Sequence, residues 1–288
     1  MSAGVLFDVP GPRARLRHNV LALLGVVALL LVAWFVWARF SAAEQWDAAL
    51  WKPFLDPEVW TGLILPGLWG TLSAAAVSAV LALAFGVVFG LGRLSDHRWL
   101  RVPSGAVVEF FRAVPVLIMI FFAQAGSFVL FGLVMPAFWA VVIGLTLYNG
   151  SVLAEVFRAG VHAVPRGQSE AAYALGLRKG GVMRLVLLPQ AVTAMLPAIV
   201  SQMVVLLKDT ALGYIIAYED LLNAGFRVVP ANYNNIIPAA IVVAAVYIAL
   251  NLALGGLASW LEGRGRRSRS SAAPAKADPV VGVPPLGA

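Results

Sequence analysis

The feature that most limits how this chain can fold is a set of six long runs without a charged side chain, at residues 20–38, 68–92, 113–131, 137–154, 186–207 and 236–261. A bilayer's hydrocarbon core is about 30 Å thick, and a helix rising about 1.5 Å per residue crosses it in roughly 20 residues. Each run is of that size. With 61% of residues hydrophobic and 12% charged, against about 25% charged in a soluble domain, the apolar surface exceeds what a water-soluble core can enclose. A closed β-barrel also satisfies every backbone group in lipid, but its strands read as short alternating segments. The sequence therefore predicts an all-α, polytopic membrane protein with six transmembrane helices.

The positions of the basic residues set the expected orientation. Of 21 Lys and Arg residues, 17 fall in four alternate segments. Arg13, Arg15 and Arg17 precede the first run, and Arg93, Arg98, Arg101 and Arg112 separate the second from the third. Arg158, Arg166, Arg178, Lys179 and Arg184 follow the fourth, and Arg264, Arg266, Arg267, Arg269 and Lys276 follow the sixth. The intervening segments hold Arg39, Lys52, Lys208 and Arg227 among the acids Glu44, Asp47, Asp56, Glu58, Asp209, Glu219 and Asp220. Basic residues accumulate in cytoplasmic loops, so both termini are expected in the cytoplasm, as an even number of spans also requires. Distributed in this way, a pI near 10.1 argues for membrane topology and against a nucleic-acid surface.

Residues 1–18 read as a cytoplasmic N-terminus and 19–38 as an accessory transmembrane helix. Its apolar run exceeds the roughly 7 to 15 residues of a signal peptide, and Trp34, Phe35 and Trp37 stand where cleavage needs small side chains. Residues 39–60 form an extracytoplasmic linker whose Trp46, Trp51 and Trp60 suit a membrane interface. The core at 61–262 has spans at 68–92, 113–131, 137–157, 186–207 and 236–261, with a cytoplasmic loop at 158–185. Residues 263–288 read as a disordered basic tail attracted to lipid headgroups. Pro115, Pro189, Pro197 and Pro238 punctuate the spans, while Gly86 and Gly90 form a small-residue pair suited to close helix packing. There is no cysteine, which excludes disulfides and thiolate metal sites.

The loop at 158–185 carries the most information. Pro165 suits a helix start, Gln168 to Leu175 contains strong helix formers, and Gly176 is a natural stop. A second short helix is expected after Gly181, running toward Leu187, with Pro189 bending the chain into the membrane. About 28 residues cannot build a core of their own. A short knuckle bearing Ala171, Ala172 and Ala174 can instead fit a groove on another protein.

Glu170, Ala171 and Ala172 are followed after three residues by Gly176, after nine more by Val186, and then by Leu188 and Pro189. This spacing resembles the coupling loop of the membrane subunits of bacterial ATP-binding-cassette importers of type I. FFRAVPVLIMIFF, LYNGSVLAEVFRAGVHAVPRGQSEAA and LKDTAL resemble stretches of the polar amino-acid branch, of glutamate/aspartate-like type. The resemblance covers residues 68 to about 261. Ala113-Val114 and Ala211 stand where Gly-Thr and Ser are usual. It implies an accessory helix plus a five-helix importer core that docks through the knuckle on a dimer of separate ATPase subunits. It also implies a second membrane subunit, identical or different, an extracytoplasmic solute-binding protein, and residence of this chain in the bacterial cytoplasmic membrane. ATP and magnesium would be bound by the ATPase and no cofactor by this chain, which contains no GxxxxGK[ST] phosphate loop.

Polar groups in the spans are the default candidates for a transport path. They are Tyr148, Asn149 and Ser151 in the fourth span, Gln202 in the fifth, and Lys208 and Asp209 at its outward end. Asn149 and Gln202 offer both donors and acceptors to a zwitterion, yet equally could staple neighbouring helices. Lys208 and Asp209 could neutralise each other. Glu155 with Arg158, and Glu109 with Arg112, are one helical turn apart and are expected to pair structurally. No catalytic constellation is present: HExxH and GxSxG are missing, and His18, His97 and His162 have no ligand spacing. An ion-driven secondary transporter and, further off, a polytopic membrane enzyme remain the alternatives that the residues alone leave open.

Overall fold

The computed structural model describes residues 11–270. The first helix, α1 (Pro12–Ala42), opens with proline at its first position, where the missing N–H is not needed. It closes just before Glu44, whose φ of 55° is incompatible with continuing the helix. Among the described side chains of α1, none is buried. Short turns over residues 48–64 follow, tied by stacked Trp37, Trp46 and Trp51. Trp51 Nε1 donates to the Gln45 carbonyl at 3.0 Å, and Asn235 Nδ2 donates to the Leu50 carbonyl at 3.0 Å. The linker is thus ordered and anchored to the segment preceding the last helix.

The core comprises α2 (Leu65–Arg93), α3 (Arg98–Ala113), α4 (Val116–Phe131), α5 (Ala137–His162), a short α6 (Arg166–Ala174), α7 (Leu188–Asp209) and α8 (Ile236–Ser270). The central pair is α2 against α5. A Cβ on Gly86 would lie 2.8 Å from Leu153 Cβ, and one on Gly90 would lie 3.1 Å from the Ala154 carbonyl oxygen. The small-residue pair therefore lets the two helices approach to backbone contact. In lipid, where apolar burial does not drive association, such contact is what holds helices together. Ala82, Leu153, Leu206 and Leu207 are buried where α2, α5 and α7 meet.

Among the described residues, five helices are long and apolar enough to cross a membrane; a sixth span requires counting α3 and α4 as one, although they meet at 97°. The expected third span at 113–131 corresponds to α4, which is preceded by a sharp bend and a further helix. The residue before a proline avoids the α region, and Val114, at φ −86° and ψ 126°, is extended ahead of Pro115. Pro115 thus ends one helix and caps the next. The segment expected to be a loop, with Arg98, Arg101 and Arg112, is an amphipathic elbow helix lying across the ends of α2 and α5.

Three times a widened helical turn precedes a proline: Trp60–Ile64 before Pro66, Val182–Leu187 before Pro189, and Ala224–Val228 before Pro230. Proline cannot donate to the carbonyl four residues back and its ring collides with it. Gly62, Leu185 and Phe226 carry those carbonyls, and the wider i→i+5 turn moves them aside. Pro189 therefore does not break the chain, and the helical run is continuous from Lys179 to Ile216. The last helix reaches Ser270, about two turns past the expected span. Residues 1–10 and 271–288, the greater part of the expected cytoplasmic N-terminus and tail, lie outside the described residues.

Candidate functional site

Helix α6 is capped by Pro165 and ends through Gly176, whose φ is +79°. The Leu177 N–H donates to the Ala172 carbonyl at 3.2 Å and the Gly176 N–H to the Tyr173 carbonyl at 2.9 Å. These are the two bonds of a Schellman stop, which needs a left-handed residue between them. Gly176 is accordingly a conformational requirement of the knuckle, and a Cβ there would meet nothing within 4 Å.

The knuckle has two faces. Ala172 is buried against the following turn, where Val182 is also buried, whereas Glu170, Ala171 and Leu175 are exposed. Val186 and Leu188 are half-buried beside it and Pro189 is exposed. Beneath it, Val161, Val164, Ala191 and Met195 form a small apolar core. Gln190 Nε2 donates to the Gln168 side chain at 3.3 Å and to the Val186 carbonyl at 3.0 Å, joining α6 to the start of α7. The arrangement presents an exposed ridge on a base rigidly continuous with a long helix.

Charged side chains secure the neighbouring helix ends. Glu155 accepts from Arg158, with its Oε2 3.2 Å from Arg158 Nε. Glu109 pairs with Arg93 at 3.3 Å rather than with Arg112, because the elbow carries it over the end of α2. Arg93 also meets Glu155 at 3.2 Å, so one guanidinium ties α2, α3 and α5. Lys179 pairs with Asp96, pinning the knuckle to the α2–α3 connection. The hub role of Arg93 and the Lys179–Asp96 pair were not visible in the sequence, since each joins residues far apart along the chain.

The polar residues of the spans do not form one cluster. Asn149 is fully buried, and Gln202 Nε2 donates to its Oδ1 at 2.7 Å. Asn149 Nδ2 donates to the Leu145 carbonyl at 3.0 Å, and Ser151 Oγ to the Leu147 carbonyl at 2.6 Å. Tyr148, next along α5, is half-buried. Lys208 is exposed and Asp209 half-buried, and no ion pair joins them among the described residues. They lie about 9 Å along α7 from Gln202, six residues on.

Residues 82–267 match the family described as binding-protein-dependent transport system inner membrane component. The chain is 48% identical over 233 residues to the glutamate transport system permease protein GluD of Corynebacterium glutamicum, covering 80% of this chain and 85% of that one. It is 34% identical to the arginine transport system permease protein ArtQ of Bacillus subtilis, covering 66% and 87%. Among solved structures, an amino acid ABC transporter with histidines matches with a TM-score of 0.67 at 30% identity, covering 71% of this chain and 95% of that one. The MetNI methionine ABC transporter, at 21% identity and a TM-score of 0.63, shares the fold. With the knuckle, the five-helix core and these matches in agreement, the chain belongs to the family of binding-protein-dependent transport system inner membrane components.

Proposed function

We propose that this chain is the permease subunit of an ATP-driven importer for an acidic amino acid, glutamate or aspartate, that works by alternating access. It is a transport subunit and not an enzyme. The observation that carries the mechanism is the exposed ridge of Glu170 and Ala171 on α6, whose base is joined to α7 by Gln168 and Gln190. Closure of an ATPase dimer around ATP and magnesium would press this ridge, and the movement would pass along α7. A second membrane subunit, identical or related, would complete the pathway. A solute-binding protein would deliver substrate at the end opposite the knuckle. Glutamate is supported by the high identity to a glutamate permease, and the other relatives extend the range to polar amino acids generally.

The test is uptake of labelled glutamate into vesicles holding the chain with its ATPase and binding protein. Uptake is expected to require ATP and the ATPase. Glu170→Ala is expected to reduce it at least tenfold while the membrane content of the chain is unchanged, a loss of about 1.4 kcal/mol or more of coupling. Uptake driven by an ion gradient without the ATPase would place the chain among secondary transporters instead.

A further inference from the structure

Beside the knuckle lies a cavity of ≈ 620 Å³ lined by Arg93, Arg101, Arg158, Arg166 and Lys179, with His162 at its wall and Asp96 as its one carboxylate. The ion pairs described above occupy Arg93, Arg158 and Lys179. Arg101 on the elbow and Arg166 on the knuckle, both exposed, line the cavity and form no ion pair among the described residues, although Asp96 acts electrostatically on Arg101. A second cavity of ≈ 540 Å³ adjoins it, sharing Leu94, Asp96, Lys179 and Met183 and continuing along Val88, Leu91 and Leu100. Val88 and Leu91 are exposed on the apolar flank of α2.

We propose that this pair of cavities holds one anionic phospholipid, its phosphate between Arg101 and Arg166 and an acyl chain along Val88, Leu91 and Leu100. Two observations point to the same ligand. The basic cavity sits where α2 ends at Arg93 and α5 ends at His162, the depth of the headgroups, where basic pockets between helices attract anionic lipid. The adjoining cavity is apolar and leads away from that level along the membrane-facing side of α2, as a lipid tail does. A free phosphate would use only the first. A lipid seated there would link knuckle, elbow and the ends of α2 and α5, the parts that must shift together when the knuckle is pressed.

The test uses the full chain purified in mild detergent, with bound lipid counted by native mass spectrometry. Phosphatidylglycerol is expected to be retained and phosphatidylcholine with the same chains lost, with retention falling as salt rises. The double variant Arg101→Gln with Arg166→Gln is expected to weaken phosphatidylglycerol about 25-fold, roughly fivefold per charge, whereas Arg101→Lys with Arg166→Lys keeps most of it. Glycerol phosphate at millimolar concentration is expected not to displace the lipid. Equal retention of the two lipids, or undiminished binding by the glutamine variant, would overturn the proposal. Displacement by glycerol phosphate would overturn it in favour of a soluble phosphate. Displacement by added ATPase subunit would overturn it in favour of a protein occupant. The salt dependence is read on the wild-type chain and so decides the matter even where a variant folds poorly.

Discussion

Asp220 lies fully buried at the end of the bundle opposite the knuckle, outside the spans. One carboxylate oxygen accepts from the Asn223 N–H at 2.7 Å, and the other has no partner. Burial pushes its carboxyl up to about 6, against the cap bond that favours ionisation. A carboxyl raised on folding binds its proton more tightly in the native state, so stability rises as pH falls from above 6 and levels off below about 4. A shift of roughly two units corresponds to about 3 kcal/mol. Asp220→Asn keeps an oxygen for the cap and is expected to stabilise the chain by up to that amount at pH 7.5 and by nothing below pH 4, read as melting temperature across pH. A wild-type melting temperature that is flat between pH 4 and 7 would contradict this.

Gln202 is a second test at this scale. Its bond to the buried Asn149 means that Gln202→Leu leaves an amide oxygen unpaired, at a cost of about 1–2 kcal/mol. A helix staple shows this as lower thermal stability with an unchanged Michaelis constant, whereas a pathway residue shows the reverse. Both residues were picked out by type and place in the sequence, because polar groups in long apolar runs stand out. Their mutual contact was not, since 53 residues separate them. Arg93 was read only as a topology charge, since its role depends on two partners from elsewhere in the chain, Glu109 on the elbow and Glu155 on α5.

At the level of elements, glycine positions decide the packing. Gly86→Ala puts a methyl group 2.8 Å from Leu153 Cβ and is expected to cost about 1–3 kcal/mol as the helices separate. Gly105→Ala, in open space on α3, is expected to stabilise by up to about 1 kcal/mol through helix propensity alone. The two melting temperatures should move in opposite directions. Gly176→Ala meets no neighbour but must hold φ near +79°, a strain of about 1 kcal/mol. Uptake should fall with Ala and recover partly with Gly176→Asn, which tolerates that conformation. The five longest helices and the knuckle were legible because apolar length, Pro165 and Gly176 announce them. The elbow was hidden because Arg98, Arg101 and Arg112 read as loop charges, although Leu100, Val107 and Phe111 keep helical spacing. The wide turns were hidden too, since proline signals disruption without saying whether a helix will break or swell.

For the whole molecule, the distribution of basic residues implies that the knuckle and the α1–α2 linker lie on opposite sides of the membrane. The chain has no cysteine, so single cysteines report cleanly. Ser169→Cys and Ala43→Cys should react with a membrane-impermeant maleimide from opposite sides, the first only in inside-out vesicles and the second only in intact cells. Labelling of both from one side would refute the six-span topology and show that the bent α3–α4 pair does not cross as one span. The swollen turn at Val182–Leu187 bears on how force crosses this bilayer. Lys179 to Ile216 is one helical run of 38 residues, about 57 Å if straight, with the wide turn near its knuckle end, Pro197 midway and a tighter 3-10 turn over Thr210–Ile216 at its far end. On the coupling proposed above, a thrust at the knuckle would travel along this run, and the wide turn would take up part of any twist. The run would thus turn a sideways squeeze at the knuckle into movement at the opposite end of the bundle, with less of the twist reaching the other helices.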